Sequence, residues 1–439
     1  MKFKIYISIF IIALFASVIY GVKLLYPLLV GLIIFSYDAW EKGFSPREIF
    51  KMMVDGISIV QKVIIIFLLI GVITAAWRLS GTIPYLVYHG ASLINPNLFY
   101  LYTFLLNLGM SMLLGSVNGT ATTMGIVLIS LARANGSSLV ITTGAILSGA
   151  MFGDRLSPVS SSINLVAEIT ETDVIKNRKP MTHSVIIPTI ITMIIYLLIS
   201  LSSGGKTTDV ELLEGIRSNT NLNVISVLPA LVVIILSLFK MGTRKLLIIS
   251  SIFSIIIGYT YQNYKVDEIV RGLIFGVEVE NLSLSLSRII NGGGIKSMFH
   301  TSLNVGISAM YFGIFQKTEF LKPVENIIDR LENKIGFYWT YVLVALVFSI
   351  LFGTQSIVVI LIAGIYKERV SSNELLMLDL ENVSILLPAL IPWNMAANLA
   401  LTVYQVSYFS VLFNFFCMVV PIYYYFYRKK FKIKLDKVI

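Results

Sequence analysis

Residues 149–164 read GAMFGDRLSPVSSSIN, an aspartate, an arginine, four serines and an asparagine gathered around a glycine and a proline in an otherwise apolar chain. Polar residues at this density inside apolar sequence mark a break in a transmembrane helix. There, freed carbonyls and side-chain oxygens line a cavity instead of facing lipid. A break of this kind needs membrane spans around it, and the rest of the chain supplies them. Of 439 residues, 56% are hydrophobic and 13% charged, with a mean hydropathy of +0.84, against roughly a quarter charged in soluble domains. The apolar runs are long and continuous, so they read as helices and not as the short alternating strands of a barrel. Clear runs are Ile5 to Tyr20, Val63 to Trp77, Leu98 to Leu114, Ser184 to Leu201, Val224 to Phe239, Leu246 to Tyr259, Phe337 to Phe352 and Thr402 to Tyr427. They predict an all-α polytopic membrane protein of roughly 11–13 transmembrane helices.

The formal net charge is +10, but its placement points to a membrane and not to nucleic acid. Lys2 and Lys4, Lys42/Arg47/Lys51, Lys176/Arg178/Lys179, Lys240/Arg244/Lys245 and the tail from Arg428 to Lys437 all flank apolar spans. This is the positive-inside pattern, and it predicts both termini in the cytoplasm. The first apolar run is expected to stay as an uncleaved helix, since no small-residue cleavage site follows it. The single cysteine, Cys417, excludes an intrachain disulfide framework and any multi-cysteine metal site, and reads as a small core residue.

The whole of 1–439 reads as one membrane domain with two related halves, at about 60–200 and about 295–428. LIGVITAAWRLSGTIP, LLGSVNGTATTMGIVLIS and the 149–164 stretch recur in kind as LNVGISAMYFGIFQKTEF, LFGTQSIVVILIAGIY and LENVSILLPALIPWNMAAN. Gly71, Gly115 and Pro158 follow one another at nearly the spacing of Gly306, Gly353 and Pro392. Glycine- or proline-interrupted helices at corresponding positions of inverted repeats are how secondary transporters build a site near the midplane.

Four stretches carry the candidate chemistry. In GSVNGTATT, Asn118 and Thr120 offer oxygens beside Gly115 and Gly119, although threonines in such a helix can equally bond back to their own backbone. In 149–164, Asp154, Ser157, Ser160, Ser161 and Asn164 surround Pro158, which removes a backbone donor. Carboxylate, hydroxyl, amide and freed carbonyl oxygens are the ligands a hard cation takes. A carboxylate at membrane depth is a functional candidate by default, so Asp154 is the leading one, and a buried tie to Arg155 is its structural alternative. The second half offers Thr354, Gln355, Ser356 and Asn394 next to Gly353 or Pro392. Glu381, Glu278 and Glu280 have flanks polar enough to read as solvated edges. Trp393 reads as space-filling, and His89 and His300 as packing residues or proton relays.

The chain resembles the NhaC-type sodium/proton antiporter family of the ion transporter superfamily. The likeness is carried by WRLSGTIPYLVYHGASLINPNLF (77–99), GSVNGT (115–120), LSGAMFGDRLSPVSSSINL (147–165), NGGGIKSMFHTSL with FGIFQKTEFL (291–321) and ALIPWN (389–394). The FGD-x-x-SP-x-S-x-x-x-NL pattern is its specific part. The resemblance implies gradient-driven exchange of Na⁺ for H⁺ in a bacterial-type cytoplasmic membrane, or related transport of an organic acid or amino acid on the same fold. It points to Asp154, Ser157, Ser160, Asn164 and Asn394 as ion- or substrate-binding, and to Asp154 and Glu381 for proton coupling. No cofactor and no metal beyond a transported Na⁺ is implied, and a homo-oligomer is compatible with it. The chain departs from the family where SPVSSSINL replaces SPLSDTTNL, so that Ser161 and Ser162 stand for an Asp-Thr pair. Glu381-Asn382 likewise stands where a Glu-Asp pair is expected. Fewer carboxylates lower the affinity for a bare cation and change how protons compete for the site.

Other classes fit less well. A channel would need a continuous pore with repeated filter rings, and none is legible. An enzyme would need a nucleophile with a base or a metal cluster, and there is no H-E-x-x-H, G-x-S-x-G or Walker motif. The missing nucleotide loop also argues against an ATP-driven pump.

Overall fold

A computed structural model describes residues 2–20, 22–157, 160–203, 210–239, 241–318 and 324–435. Among these residues the chain is helical, with one isolated bridge between Val277 and Gly292 and no strands. Helices α1 (Lys2–Ile19) and α2 (Leu25–Glu41) pack together beside α3 (Pro46–Leu79). α3 begins where Ser45 and Glu48 cap each other's backbone N–H groups at 3.3 and 2.8 Å, with Pro46 in the first turn. It then bends by 66° into α4 (Thr82–Leu93).

α5 (Phe99–Leu114) stops at Gly115, and the chain returns through α6 (Val117–Thr122) and α7 (Met124–Ala134). The far ends of this unit meet, because Ser138 N–H donates to Tyr100 Oη at 2.9 Å. It is therefore a hairpin with its broken tip inside the protein. α8 (Leu139–Leu156) and α9 (Ser161–Ile169) form an interrupted crossing, and α10 (Val174–Ser202) crosses back. Ser200 Oγ accepts from Tyr100 N–H at 3.1 Å, which places the end of α10 beside the hairpin's open end.

A middle segment follows, α11 (Val210–Asn219), α12 (Leu228–Leu238), α13 (Thr243–Thr260), α14 (Val266–Phe275) and α15 (Leu284–Ile290). α16 (Ile295–Thr318) then runs antiparallel to α3: Gly294 N–H donates to Gly71 O at 2.8 Å near one end, and Lys42 Nζ to Thr318 O at 3.1 Å beyond the other. A Cβ added to Gly56 or Gly313 would collide with the facing backbone, so the two helices touch main chain to main chain. α17 (Val324–Ile335) leads to a second hairpin, α18 (Phe337–Leu351) and α19 (Gln355–Tyr366). Its open end is marked by the Tyr366 ring against Phe337 and Tyr341, with centroids 5.5 and 4.7 Å apart. α20 (Asn373–Asp379) continues through a π turn, Leu380–Ser384, to a break at 391–394 and then α21 (Met395–Tyr404). α22 (Phe415–Leu435) closes the described chain.

The two hairpins open to opposite faces. The open end of α18–α19 lies where Arg369 pairs with Asp329 at 2.7 Å and Lys367 with Glu171 at 2.8 Å, the face that also holds Lys42 and Arg428. We call it the lysine face. The open end of α5–α7 lies on the opposite side, with the 291–294 glycine loop.

Four helical stretches among the described residues are long and apolar enough to cross a membrane, and two bent pairs raise the number to six. The roughly 11–13 transmembrane helices expected from the sequence include further runs that are shorter or interrupted in the fold, consistent with an all-α polytopic membrane protein. Phe337–Leu351, Gln355–Tyr366 and Met124–Ala134 are short arms of hairpins. The run from Thr402 to Tyr427 is likewise not one helix. Gln405 takes a left-handed conformation (φ 52°), Ser407 caps a 3₁₀ turn, and α22 starts only at Phe415. On α10, Ile186, Ile190, Ile194 and Leu198 form an exposed apolar stripe facing lipid, while Thr192 and Tyr196 point inward. Cys417 is buried in α22.

Candidate functional site

The interrupted α8–α9 crossing brings Asp154 to the centre. α8 ends at Ser157, and Ser160 restarts the chain as the N-cap of α9, its Oγ accepting from Ser162 N–H at 3.1 Å. The loop returns both hydroxyls to the last turn of α8. Ser160 Oγ donates to Asp154 Oδ1 at 3.2 Å, and Ser162 Oγ to Oδ2 at 2.9 Å. From the opposite hairpin, Gln355 Nε2 donates to Asp154 Oδ2 at 3.2 Å and to the carbonyl of Ile385 at 2.8 Å. One amide thus joins the breaks of the two hairpin-bearing halves. Asp154 is 4% exposed, and among the described residues no cation stands within ion-pair distance of it.

Arg155 does not form the structural tie considered from the sequence. Consecutive side chains on a helix point about 100° apart, and Arg155 reaches the other way, donating from Nη2 to Ser184 Oγ at 3.2 Å. Its Nε and Nη1 have no hydrogen-bond partner and the residue is fully buried. Glu381 lies within Coulombic range of both Arg155 and Asp154. The reading of Glu381 as a solvated edge is corrected by its position on the π turn, where it and its neighbours Leu380, Asn382 and Val383 are all fully buried. Neither Glu381 oxygen has a hydrogen-bond partner, nor does Asn382 Oδ1. A widened helical turn holding unpaired acid is the local irregularity that functional sites use. An arginine with two free donors, a glutamate with two free acceptors and an aspartate held only by neutral donors thus lie buried near one another.

The remaining sequence candidates divide. Ser157 Oγ donates to Met112 O at 2.8 Å and locks the end of α8 to α5. Asn164 Nδ2 donates to Ser160 O at 2.6 Å, bracing the loop from below. Ser161 is exposed, and the hydroxyl at Asp154 is that of Ser162, one residue on. Pro158 lies outside the described residues. Thr120 Oγ1 bonds back to Ser116 O at 2.9 Å, and Asn118, half-buried, gives its carbonyl to Thr122 Oγ1 at 2.7 Å. The first-half break is therefore closed on its own backbone. Asn394 caps α21 and ties the two second-half breaks, donating from Nδ2 to Phe352 O at 2.8 Å and Ser349 O at 3.3 Å. Thr354 is buried with its Oγ1 unpartnered, whereas Ser356 is exposed. Trp393 fills space against Phe15 and donates to Ile350 O at 2.7 Å. His89 stacks on Tyr85, and His300 lines a cavity with Thr301, Asn304 and Asn398.

Comparisons with known proteins bear on the chain as a whole. A family model described as the Na⁺/H⁺ antiporter family matches residues 2–162 and 149–428. The chain belongs to that family. It is similar to the Na⁺/H⁺ antiporter NhaC of Bacillus subtilis (strain 168), 27% identical over 408 residues, which cover 90% of each chain. NhaC of Alkalihalophilus pseudofirmus is 27% identical over 407 residues, 90% of this chain and 87% of the relative. The malate-2H⁺/Na⁺-lactate antiporter of Bacillus subtilis (strain 168) is 28% identical over 298 residues, 67% of this chain and 64% of that relative. The match thus spans just under two thirds of the last protein and nine tenths of the first.

Ser162, Arg155 and the burial of Glu381 carry more of the site than their sequence setting indicated. For Glu381 a signal was present, since LLMLDLENVSILLPALI is an apolar stretch that isolates Asp379 and Glu381 inside it.

Proposed function

We propose that this protein is a secondary active antiporter, not an enzyme, that exchanges Na⁺ for H⁺ across a bacterial-type cytoplasmic membrane. The observation that carries this reading is Asp154, buried at the α8–α9 break with serine hydroxyls on one side and Gln355 of the opposite half on the other. Na⁺ takes oxygen ligands. When it arrives at Asp154, Ser160 and Ser162 turn their hydroxyl hydrogens away and present lone pairs. Gln355, now donating through its amide nitrogen, offers its carbonyl oxygen by rotation of the amide. A proton competes for the same carboxylate, so one charge leaves as the other binds. Glu381 is the second acceptor, and Arg155 compensates its charge when it is ionised.

The opposed hairpins support two inverted repeats, at about 60–200 and about 295–428, that rock against each other around the site. The basic residues of the lysine face support its assignment as cytoplasmic, with both termini on that side. Respiring everted vesicles test the reading. Adding Na⁺ should dissipate ΔpH in wild type and fail to do so in Asp154→Asn present in equal amount. Full exchange by Asp154→Asn would remove that carboxylate from the mechanism.

A further inference from the structure

On the face opposite the lysine face, a cavity of about 420 Å³ is lined by Arg78, Arg133 and Arg288, which α3, α7 and α15 bring together. No aspartate or glutamate lines it, and among the described residues none of the three arginines has an ion-pair partner. Arg133 lies within Coulombic range of both others, so like charges meet it from two sides. The fold nevertheless holds two of the three in place. Arg78 donates from Nε to Asn291 O at 3.0 Å and from Nη1 to Thr74 O at 2.9 Å, and Arg133 donates from Nη2 to Tyr404 O. Arg133 Nε is buried without a partner, and Arg288 is exposed.

The loop that positions Arg78 is built for close approach. Gly293 and Gly294 have φ of +78° and +83°, and a Cβ on Gly293 would stand 2.5 Å from Ala75 N. NGGG thus presses the Asn291 carbonyl onto the arginine. Directly after it α16 begins, and Ser297 of its first turn lines the cavity together with Ser287 of α15. A helix of 24 residues brings partial positive charge and backbone N–H groups to its N-terminus. With the lysine face cytoplasmic, as proposed, the cavity lies on the outer side, where basic residues are normally scarce. Three arginines kept there without an acid need an anion that the chain does not supply.

We propose that this cavity binds a phosphate group, either free phosphate or the headgroup of an anionic phospholipid. One guanidinium fork satisfies both oxygens of a carboxylate in a single plane. Three guanidiniums from separate elements, two hydroxyls and a helix N-terminus exceed that need, and they match a tetrahedral group whose oxygens point several ways. A phosphate monoester or free phosphate also brings about two negative charges near neutral pH, against three positive ones. Bound here, the group joins Arg78 and Arg133 of the first half to Arg288 of the middle segment and to the start of α16. Asp154 does not line the cavity, so the anion acts as a fixed counter-charge on the outer side and not as cargo at the α8–α9 break. A neighbouring cavity shares Ser287, Asn291 and Gly292 with it, but there Glu278 stands with Arg271 and Lys296. Its basic charge is already partly balanced.

Calorimetric titration tests this on the full-length protein, delipidated in a maltoside detergent that carries no phosphate. The probes are inorganic phosphate, soluble dihexanoylphosphatidylglycerol and, for comparison, L-malate. Saturable binding of a phosphate probe is expected, about tenfold or more tighter than malate. Tighter binding of inorganic phosphate would identify the free ion as the occupant, and tighter binding of the short-chain lipid would identify the headgroup. Arg288→Gln, which removes an exposed side chain, and Arg133→Lys, which keeps charge but loses the fork, should each weaken it by about tenfold or more. Arg271→Gln, which removes the same charge from the neighbouring cavity, should leave it unchanged. The proposal is overturned if neither phosphate probe binds, if malate binds as tightly, if Arg288→Gln and Arg133→Lys both bind like wild type, or if Arg271→Gln weakens binding as much as they do. Na⁺-driven ΔpH in proteoliposomes from the same preparation keeps this site apart from the exchange reading. Phosphate binding without Na⁺ response sustains the site and removes Na⁺/H⁺ exchange, and the reverse outcome does the opposite.

Discussion

Asp154 and Glu381 are both buried acids, yet their surroundings differ. Asp154 is held by three neutral donors and has, among the described residues, no counter-ion that Na⁺ would have to displace. Glu381 has no donor at all and faces Arg155 through space. Glu381→Gln should therefore leave Na⁺ binding at Asp154 measurable while flattening the pH dependence of exchange. Rates at several fixed pH values in proteoliposomes would show it, and an unaltered pH profile would exclude Glu381 from proton coupling. Asp154 was legible in the sequence because a carboxylate between Gly153 and Pro158 has no bland role in a membrane. The burial of Glu381 was less legible, because Asn382 and Ser384 beside it look like a helix end although the wider stretch is apolar. Only tertiary packing makes that turn an interior one. Arg78, Arg133 and Arg288 lie 55 to 210 residues apart along the chain, and nothing in their local sequence announces that they line one cavity.

At the scale of elements, the breaks are maintained by caps and by close backbone contact. Asn394 does both, capping α21 while binding the carbonyls left free at the end of α18. Asn394→Ala loses the cap, worth about 1 kcal/mol, and orphans Phe352 O, at about 1–3 kcal/mol more. Its melting temperature in detergent should fall accordingly, and restored stability in Asn394→Asp would identify the cap as the larger part. Gly153 is the counterpart by contact. A side chain there would run into the Ser111 backbone of α5, so Gly153→Val should cost about 1–3 kcal/mol or more. Unchanged yield and stability of Gly153→Val would mean that α5 and α8 can separate without loss. The positions of the breaks were readable from glycine, proline and small polar residues, because those residues alter backbone geometry locally. Whether a broken segment crosses or folds back was not, since Phe337–Leu351 and Gln355–Tyr366 have the composition of two crossings and differ only in where Tyr366 packs.

Across the whole molecule, an exposed ion pair on the lysine face, Lys367 with Glu171, ties the end of α19 to the loop after α9. A hydrogen bond from Lys367, and then its charge, hold the Glu171 carboxyl below the usual carboxylate range. The sign follows directly. The tie is intact above that range and is lost only as pH falls through the lowered value, so across neutral pH it responds to salt and not to protons. Exposed pairs are weak, so such a tie can open at little cost. Glu171→Gln should therefore change the exchange rate by no more than about fivefold while raising amide hydrogen exchange at 161–172 and 355–366. High salt should produce the same rise in wild type and little further in the variant. If protection in both segments were indifferent to salt and to the substitution, the tie would not govern opening.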